Sequence, residues 1–272
     1  MKKHLLLLGV VVIIASCAPA ADQPATGATA PAKTESPTAE PTPVPDPVTI
    51  EYIGHSCVLI VAPDGTRVVT DPYGDYASPP EITFPDGVEA DVVTISHFHP
   101  DHSNIEAVEG DPQAYYQPGV YRVGEVKITG LESDHGGELG TGGSNANTAF
   151  VFEIDQITIV HMGAAGLVSQ EEILEVLADA DVVFIDIQGD TTHPPREEVE
   201  QMVALGAGTI VPTHYSLSSD RRFYGAPTLD EFLAMVPEDL AVADVEGSQL
   251  EVTSGMPTQV VVLTPSALGT QE

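Results

Sequence analysis

The sequence predicts an α/β domain in which two β-sheets pack together with helices outside them. Two observations predict it. The first half is rich in short apolar, β-branched runs, and in the second half such runs alternate with helical segments. No fixed-period repeat interrupts the pattern.

The elements follow in order. Strands are expected at 48–53 (VTIEYI), 56–62 (SCVLIVA) and 67–70 (RVVT), with the turn PDGT between the last two. Further strands are expected at 91–96 (DVVTIS), 120–123 (VYRV), 125–131 (EVKITGL), 147–154 (NTAFVFEI) and 157–162 (ITIVHM), the last pair turning at Asp155 and Gln156. A helix is expected over 169–178: Ser169 and Glu172 have capping-box spacing, and Ile173, Leu174 and Leu177 share one face. After a buried strand at 181–187 comes a helix over 195–206, with Pro195 in its first turn and Gly206 at its end. The strand at 208–215 brings His214 to its end, and Thr228 and Glu231 open a helix over 228–236 with a second capping box. Strands at 240–245, 249–253 and 259–264 close the chain.

The 272 residues suit one domain with appendages. Residues 1–17 have a basic head, an apolar run too short to span a bilayer comfortably, and small residues before Cys17. They read as an export signal. The run IASC resembles a bacterial lipobox, which implies cleavage before Cys17, lipidation of that cysteine, and anchoring of the protein to the extracytoplasmic face of the cell envelope. The alternative is an ordinary signal peptide with a chance cysteine. Residues 18–47 form a Pro/Thr/Ala-rich tract that cannot build a core and reads as a disordered tether. The domain is expected over 48–265, and 266–272 is a tail. With Cys17 lipidated, Cys57 has no intramolecular partner, so no disulfide framework is expected; Cys57 reads as a small buried core residue.

The net charge of −32, from 41 acids and 9 bases, repels phosphate backbones and argues against nucleic acid as a partner. It also concentrates divalent cations near the surface. No motif specifies an oligomeric state.

Chemistry concentrates in the histidines. His97 to His102 read HFHPDH, directly after an apolar strand. In an extended or turning segment His97 and His99 point to one side and can reach one ion. Asp101 and His102 lie past Pro100, which redirects the backbone toward a second ion; paired ions sit roughly 3.5–4 Å apart. Imidazole and carboxylate donors suit zinc, with manganese or iron as alternatives. His135 and His214, each after a strand, are the natural further donors.

The segment SHFHPDH resembles the HxHxDH signature of the metallo-β-lactamase superfamily. The segments EYIGHSCVLI, VVTDPY, DHGG, VHMG and VPTHY fall in that family's order between about residues 48 and 225. The chain looks most like the branch of ascorbate-phosphate lactonase-like and related hydrolases. The resemblance implies an αβ/βα four-layer sandwich with a metal site at one edge between the sheets. It implies one ion on His97, His99 and His135 and a second on Asp101, His102 and His214. It also implies that Asp71 orients ligands and that His161 supports a loop, outside the ligand set.

One position departs. The family's HxGD motif, whose aspartate bridges two metals, here reads HMGA, His161 to Ala164. Ala164 offers no donor. Asp134, Asp186 and Asp190 are the candidate substitutes.

The expected function is a metal-dependent hydrolase of a small ester, lactone or phosphoester, with metal-activated water as nucleophile and Asp101 orienting it. No G-x-S-x-G elbow competes. Arg221 and Arg222 are candidates for gripping an anionic substrate group, or form a solvated pair; Tyr215 is a candidate for the pocket wall. Two alternatives stand: a metal-binding or scaffold module that has lost turnover through Ala164, and a lipoprotein that delivers zinc.

Overall fold

A computed structural model describes residues 47–74, 82–135, 146–188, 194–219 and 225–270. The leader with Cys17, the tether up to residue 46, Asp190, Arg221 and Arg222 lie outside the described residues. Strands β1 (Val48–Gly54), β2 (Cys57–Val61), β3 (Arg67–Thr70), β4 (Glu89–Thr94) and β5 (Glu109–Tyr115) form a six-stranded sheet with β13 (Gln249–Val252), in the order β13-β1-β2-β3-β4-β5. The second sheet has eight strands. It joins β6 (Gly119–Val123), β7 (Val126–Asp134), β8 (Ala146–Ile154), β9 (Ile157–His161), β10 (Val182–Asp186), β11 (Thr209–Thr213), β12 (Val242–Asp244) and β14 (Gln259–Val262), in the order β12-β14-β11-β10-β9-β8-β7-β6.

The central strands β2 and β3 of the first sheet are buried on both faces, and side-chain alternation sorts their residues, with those of β4, between two cores. Val58, Ile60, Val68 and Val92 point into the main core shared with the second sheet, while Cys57, Leu59, Val69 and Val93 point outward. On that outer side they meet Ile82, Phe84, Val108 and Ala267. The segment read as a tail contributes to this layer: Ser266–Thr270 is a 3-10 turn, and Ala267 is fully buried.

Helices cover the second sheet. α1 (Glu171–Ala178) buries Ile173 and Leu177, and α2 (Pro195–Leu205) buries Val199 and Met202. They connect β9 to β10 and β10 to β11, which pair in parallel. The stop of α2 follows its sequence signal, with Gly206 left-handed at φ 83°. α3 (Leu229–Leu233) opens with the expected capping box between Thr228 and Glu231, but it is shorter than expected. The capping box expected at α1 does not form. The helix begins one residue later, with Gln170 in the cap position and no side-chain cap bond.

Strand β5 was not legible in the sequence. Its residues EGDPQAY lack apolar alternation and include Pro112. It is an edge strand, parallel to β4, where a proline and polar side chains are tolerated.

Cys57 is buried, and burial, with the Asp71 carboxylate second, pushes its thiol well above the ordinary value. The folded protein is therefore expected to leave Cys57 unalkylated by iodoacetamide at pH 8, with full labelling in denaturant, as read by peptide mass spectrometry. Rapid labelling of the native Cys57 peptide would contradict this burial.

Candidate metal centre

The functional side chains collect at one end of the two sheets. Asp71 follows β3, and His97 to His102 follow β4; His55 sits in the β1–β2 turn beside them. In the other sheet His135 follows β7, His161 ends β9, Asp186 ends β10 and His214 follows β11. Three hydrogen bonds stitch the sheets together here: the His214 amide donates to the His55 carbonyl at 2.8 Å, His161 Nε2 to the Ser56 carbonyl at 2.8 Å, and the Thr148 amide to the Ser96 carbonyl at 2.8 Å. His55, Asp71 and His214 adopt positive φ values of 56°, 39° and 60°. Such backbone is costly for residues with a Cβ and gathers at functional sites, where surrounding structure enforces it.

Three overlapping groups of donors result among the described residues, one of which, Asp71 with His97 and His102, joins the other two from behind. His97, His99 and His135 place one ligand atom each within 4.8 Å of one another. His97 is buried, His135 half-buried and His99 exposed, so this group faces the mouth. The second group, also within 4.8 Å, is His55, Asp101, His102 and His214, and all four are buried. The first matches the set expected for one ion. The second contains the three residues expected for the other ion and adds His55, which the residue pattern had not placed there. Its signal was a histidine directly after the turn glycine in EYIGHSC.

The hydrogen-bond partners settle which imidazole nitrogens can bind a cation. A carboxylate only accepts. Ser96 Oγ donates to Asp71 Oδ2 at 2.5 Å, so it must accept from Nδ1 of His97, 3.0 Å away. That leaves Nε2 of neutral His97 with its lone pair. Likewise His102 Nδ1 donates to Asp71 Oδ2 at 2.9 Å and His214 Nδ1 to Asp186 Oδ2 at 2.7 Å, which turns both Nε2 atoms toward Asp101. Carboxylates behind ligand histidines orient them and raise their basicity. Asp71, for which the resemblance implied an orienting role, lies behind His102 and Ser96. Asp186, one candidate substitute for the bridging carboxylate, instead holds the far side of His214.

The electrostatics agree with a cation-binding pocket. Burial, then the neighbouring His102, pushes His97 down to about 2, and burial also lowers His55 and His135, which keeps these rings neutral. Burial would raise Asp101, but hydrogen bonds from His214 and His55 overcome it and hold the carboxylate well below its ordinary range. Burial also opposes charge on His214, yet Asp186 and Asp101 outweigh it and raise the ring to about 9. The two carboxylates therefore favour positive charge between them. Imidazole nitrogens gathered around one ionised carboxylate fit a divalent transition metal, whose charge would take the place of the proton that Asp186 and Asp101 favour on His214.

Other expected residues lie elsewhere. Tyr215, expected at the pocket wall, belongs to the core: its hydroxyl donates to the Leu263 carbonyl at 3.2 Å, and its ring packs 6.1 Å from that of Tyr52. His161 stays outside all three donor groups, with its Nε2 on the Ser56 carbonyl. Ala164 is beside the mouth, next to Ala165, which bridges to His135. Its amide donates to Asn147 Oδ1 at 3.1 Å, while Asn147 Nδ2 donates to Ser133 Oγ and the Met162 carbonyl. Asn147 thereby fixes the loop that carries the departure from HxGD. Gly163 in this loop has φ 58°, and a Cβ there would collide with Ser96. Phe98, between His97 and His99 and 66% exposed, meets the ring of Tyr116 edge-on, with centroids 5.2 Å apart.

Comparison with known proteins extends these observations. The family model of the beta-lactamase superfamily domain matches residues 49–214. A UPF0173 metal-dependent hydrolase of Methanospirillum hungatei is 29% identical over 195 residues, covering 61% of this chain and 82% of the relative. One of Thermococcus onnurineus is 26% identical over 194 residues, covering 62% and 85%. Among solved structures, a Thermotoga maritima protein proposed as a Zn-dependent hydrolase of the metallo-β-lactamase superfamily aligns with a TM-score of 0.61. It is 31% identical, and the match covers 79% of this chain and 98% of that one.

Proposed function

The chain belongs to the metallo-β-lactamase superfamily, and from that premise we propose that it is a zinc-dependent hydrolase of a small ester, lactone or phosphoester. The observation that carries the reading is the convergence of His97, His99 and His135 at the mouth above the buried group of His55, Asp101, His102 and His214. A metal held there supplies an activated water and polarises the substrate's carbonyl or phosphoryl oxygen. The chain's own residues do the rest. Asp71, Ser96 and Asp186 hold three imidazoles in the orientation that presents Nε2. Asp101, kept ionised, accepts from a donor in the pocket and orients it. Phe98 and Tyr116 offer an apolar surface to the uncharged part of a substrate. Arg221 and Arg222 are proposed for its anionic group, and a lipid on Cys17 is proposed to hold the domain at the extracytoplasmic membrane surface.

The test is a panel of a lactone, a p-nitrophenyl ester and bis-p-nitrophenyl phosphate, offered to the full chain after zinc loading. Turnover of at least one compound, abolished by a chelator and restored by zinc, is expected. Ala164 favours a second reading, a metal-binding member without turnover. It prevails if the fully metal-loaded protein hydrolyses nothing while the Ala164→Asp variant becomes active.

A further inference from the structure

We propose that the buried donor group is a complete four-ligand metal site in which His55 occupies the coordination position left by the missing bridging carboxylate. The mouth group is then a three-imidazole site that keeps an open position. The proposal rests on the reading of this pocket as a metal centre and goes beyond it in naming the fourth ligand and the division of labour.

Ala164 removes one oxygen donor from each of two adjacent ions. At the mouth the donors grouped among the described residues are three imidazoles. In the buried group something does. His55 Nε2 lies 3.1 Å from Asp101 Oδ2, on the carboxylate oxygen that also faces His102 Nε2 at 3.7 Å and His214 Nε2 at 3.5 Å. Its ring meets that of His214 edge-on, with centroids 3.9 Å apart. The placement is built. The His55 carbonyl accepts from the His214 amide and from the Tyr52 hydroxyl, both at 2.8 Å, and these bonds hold the residue at φ 56° with its side chain in the pocket. As a ligand the neutral ring carries its hydrogen on Nδ1 and presents Nε2. Three imidazoles and a carboxylate then close a tetrahedral site, the pattern of ions that stay in place, whereas three imidazoles alone are the pattern of sites with a free position for water or substrate.

The competing role for His55 is to orient Asp101 without touching metal. Two experiments on the full chain separate them. The first is anomalous diffraction from zinc-soaked crystals. It is expected to show two ions, the buried one about 2.1 Å from His55 Nε2. The second is chelator-competition titration with zinc, comparing wild type with His55→Asn. Asparagine tolerates the left-handed backbone, and circular dichroism monitors the fold. The variant is expected to hold the mouth ion with unchanged affinity and the buried ion more than about 100-fold more weakly. Loss of a residue that merely orients a ligand costs roughly 10–100-fold. Two ions with the buried one beyond bonding distance of His55, or a variant whose buried-site affinity falls by less than about 100-fold, the range of a residue that only orients a ligand, overturns the proposal alone. A wild-type protein that takes up no metal overturns the metal-centre reading and the proposal with it.

Discussion

Replacing Asp101 by asparagine is expected to lower kcat/KM on any substrate the panel identifies by more than about 100-fold while the fold survives. Changing a residue that only supports a ligand costs roughly 10–100-fold in affinity or activity, and Asp101 belongs to the donor group itself. Its Oδ2 is the point on which three imidazole nitrogens converge. Asparagine preserves shape but not charge. The buried group then offers a cation no anionic donor, and His214 loses one of the two carboxylates that favour positive charge beside it. After zinc loading, the variant is expected to retain one ion fewer than wild type. Metal analysis and steady-state kinetics on the same sample check this. Full metal content with a rate within tenfold of wild type would remove Asp101 from the centre.

The second large effect concerns stability. Asp71→Ala is expected to destabilise the domain by about 3–5 kcal/mol, because a buried polar network loses the partner that satisfies it. Asp71 accepts from the Ser96 amide at 2.7 Å, from Ser96 Oγ at 2.5 Å and from His102 Nδ1 at 2.9 Å, and it is almost fully buried. Alanine leaves all three donors without it and must also adopt φ 39°. For a domain of this size the thermal midpoint is expected to drop by on the order of 10 °C. Asp71→Asn, which retains an acceptor and tolerates the backbone, is expected to lose less. The sign of the pH dependence follows. Burial would raise the Asp71 carboxyl, but the hydrogen bond and charge of His102 prevail and bring it down to about 2, below its unfolded value. Its stabilisation is therefore present in full above the unfolded value and is lost as pH falls through about 2. Thermal melts of wild type and Asp71→Ala should lie far apart at neutral pH and approach one another in strong acid. A gap that is small at pH 7, or that widens in acid, would contradict this role for Asp71.

Much of the fold was legible because the central strands are buried on both faces and read as continuous apolar runs bounded by turn residues. CVLIV and VVFID are examples. Strand β5 was not legible because an edge strand is held by one neighbour's backbone and needs no apolar pattern. At α1 the helix was legible and its capping was not, since Ser169 and Gln170 both precede the first turn and the choice between them depends on how the preceding loop packs.

By itself the sequence determined the two-sheet fold class and the histidine-rich segment at a strand end, both written in residue type and local spacing; the loss of a carboxylate at Ala164 was legible only through the family resemblance. Only the tertiary structure decided that His55 joins Asp101, His102 and His214, that Asp186 backs His214 instead of bridging, that Tyr215 turns into the core, and that Asn147 holds the Ala164 loop. The reason is physical. Periodicity tells each strand which side chains it buries, but which strand ends meet across the sandwich, and which nitrogen each imidazole presents, follow from packing and hydrogen bonds between segments more than a hundred residues apart, such as the one from His161 to Ser56.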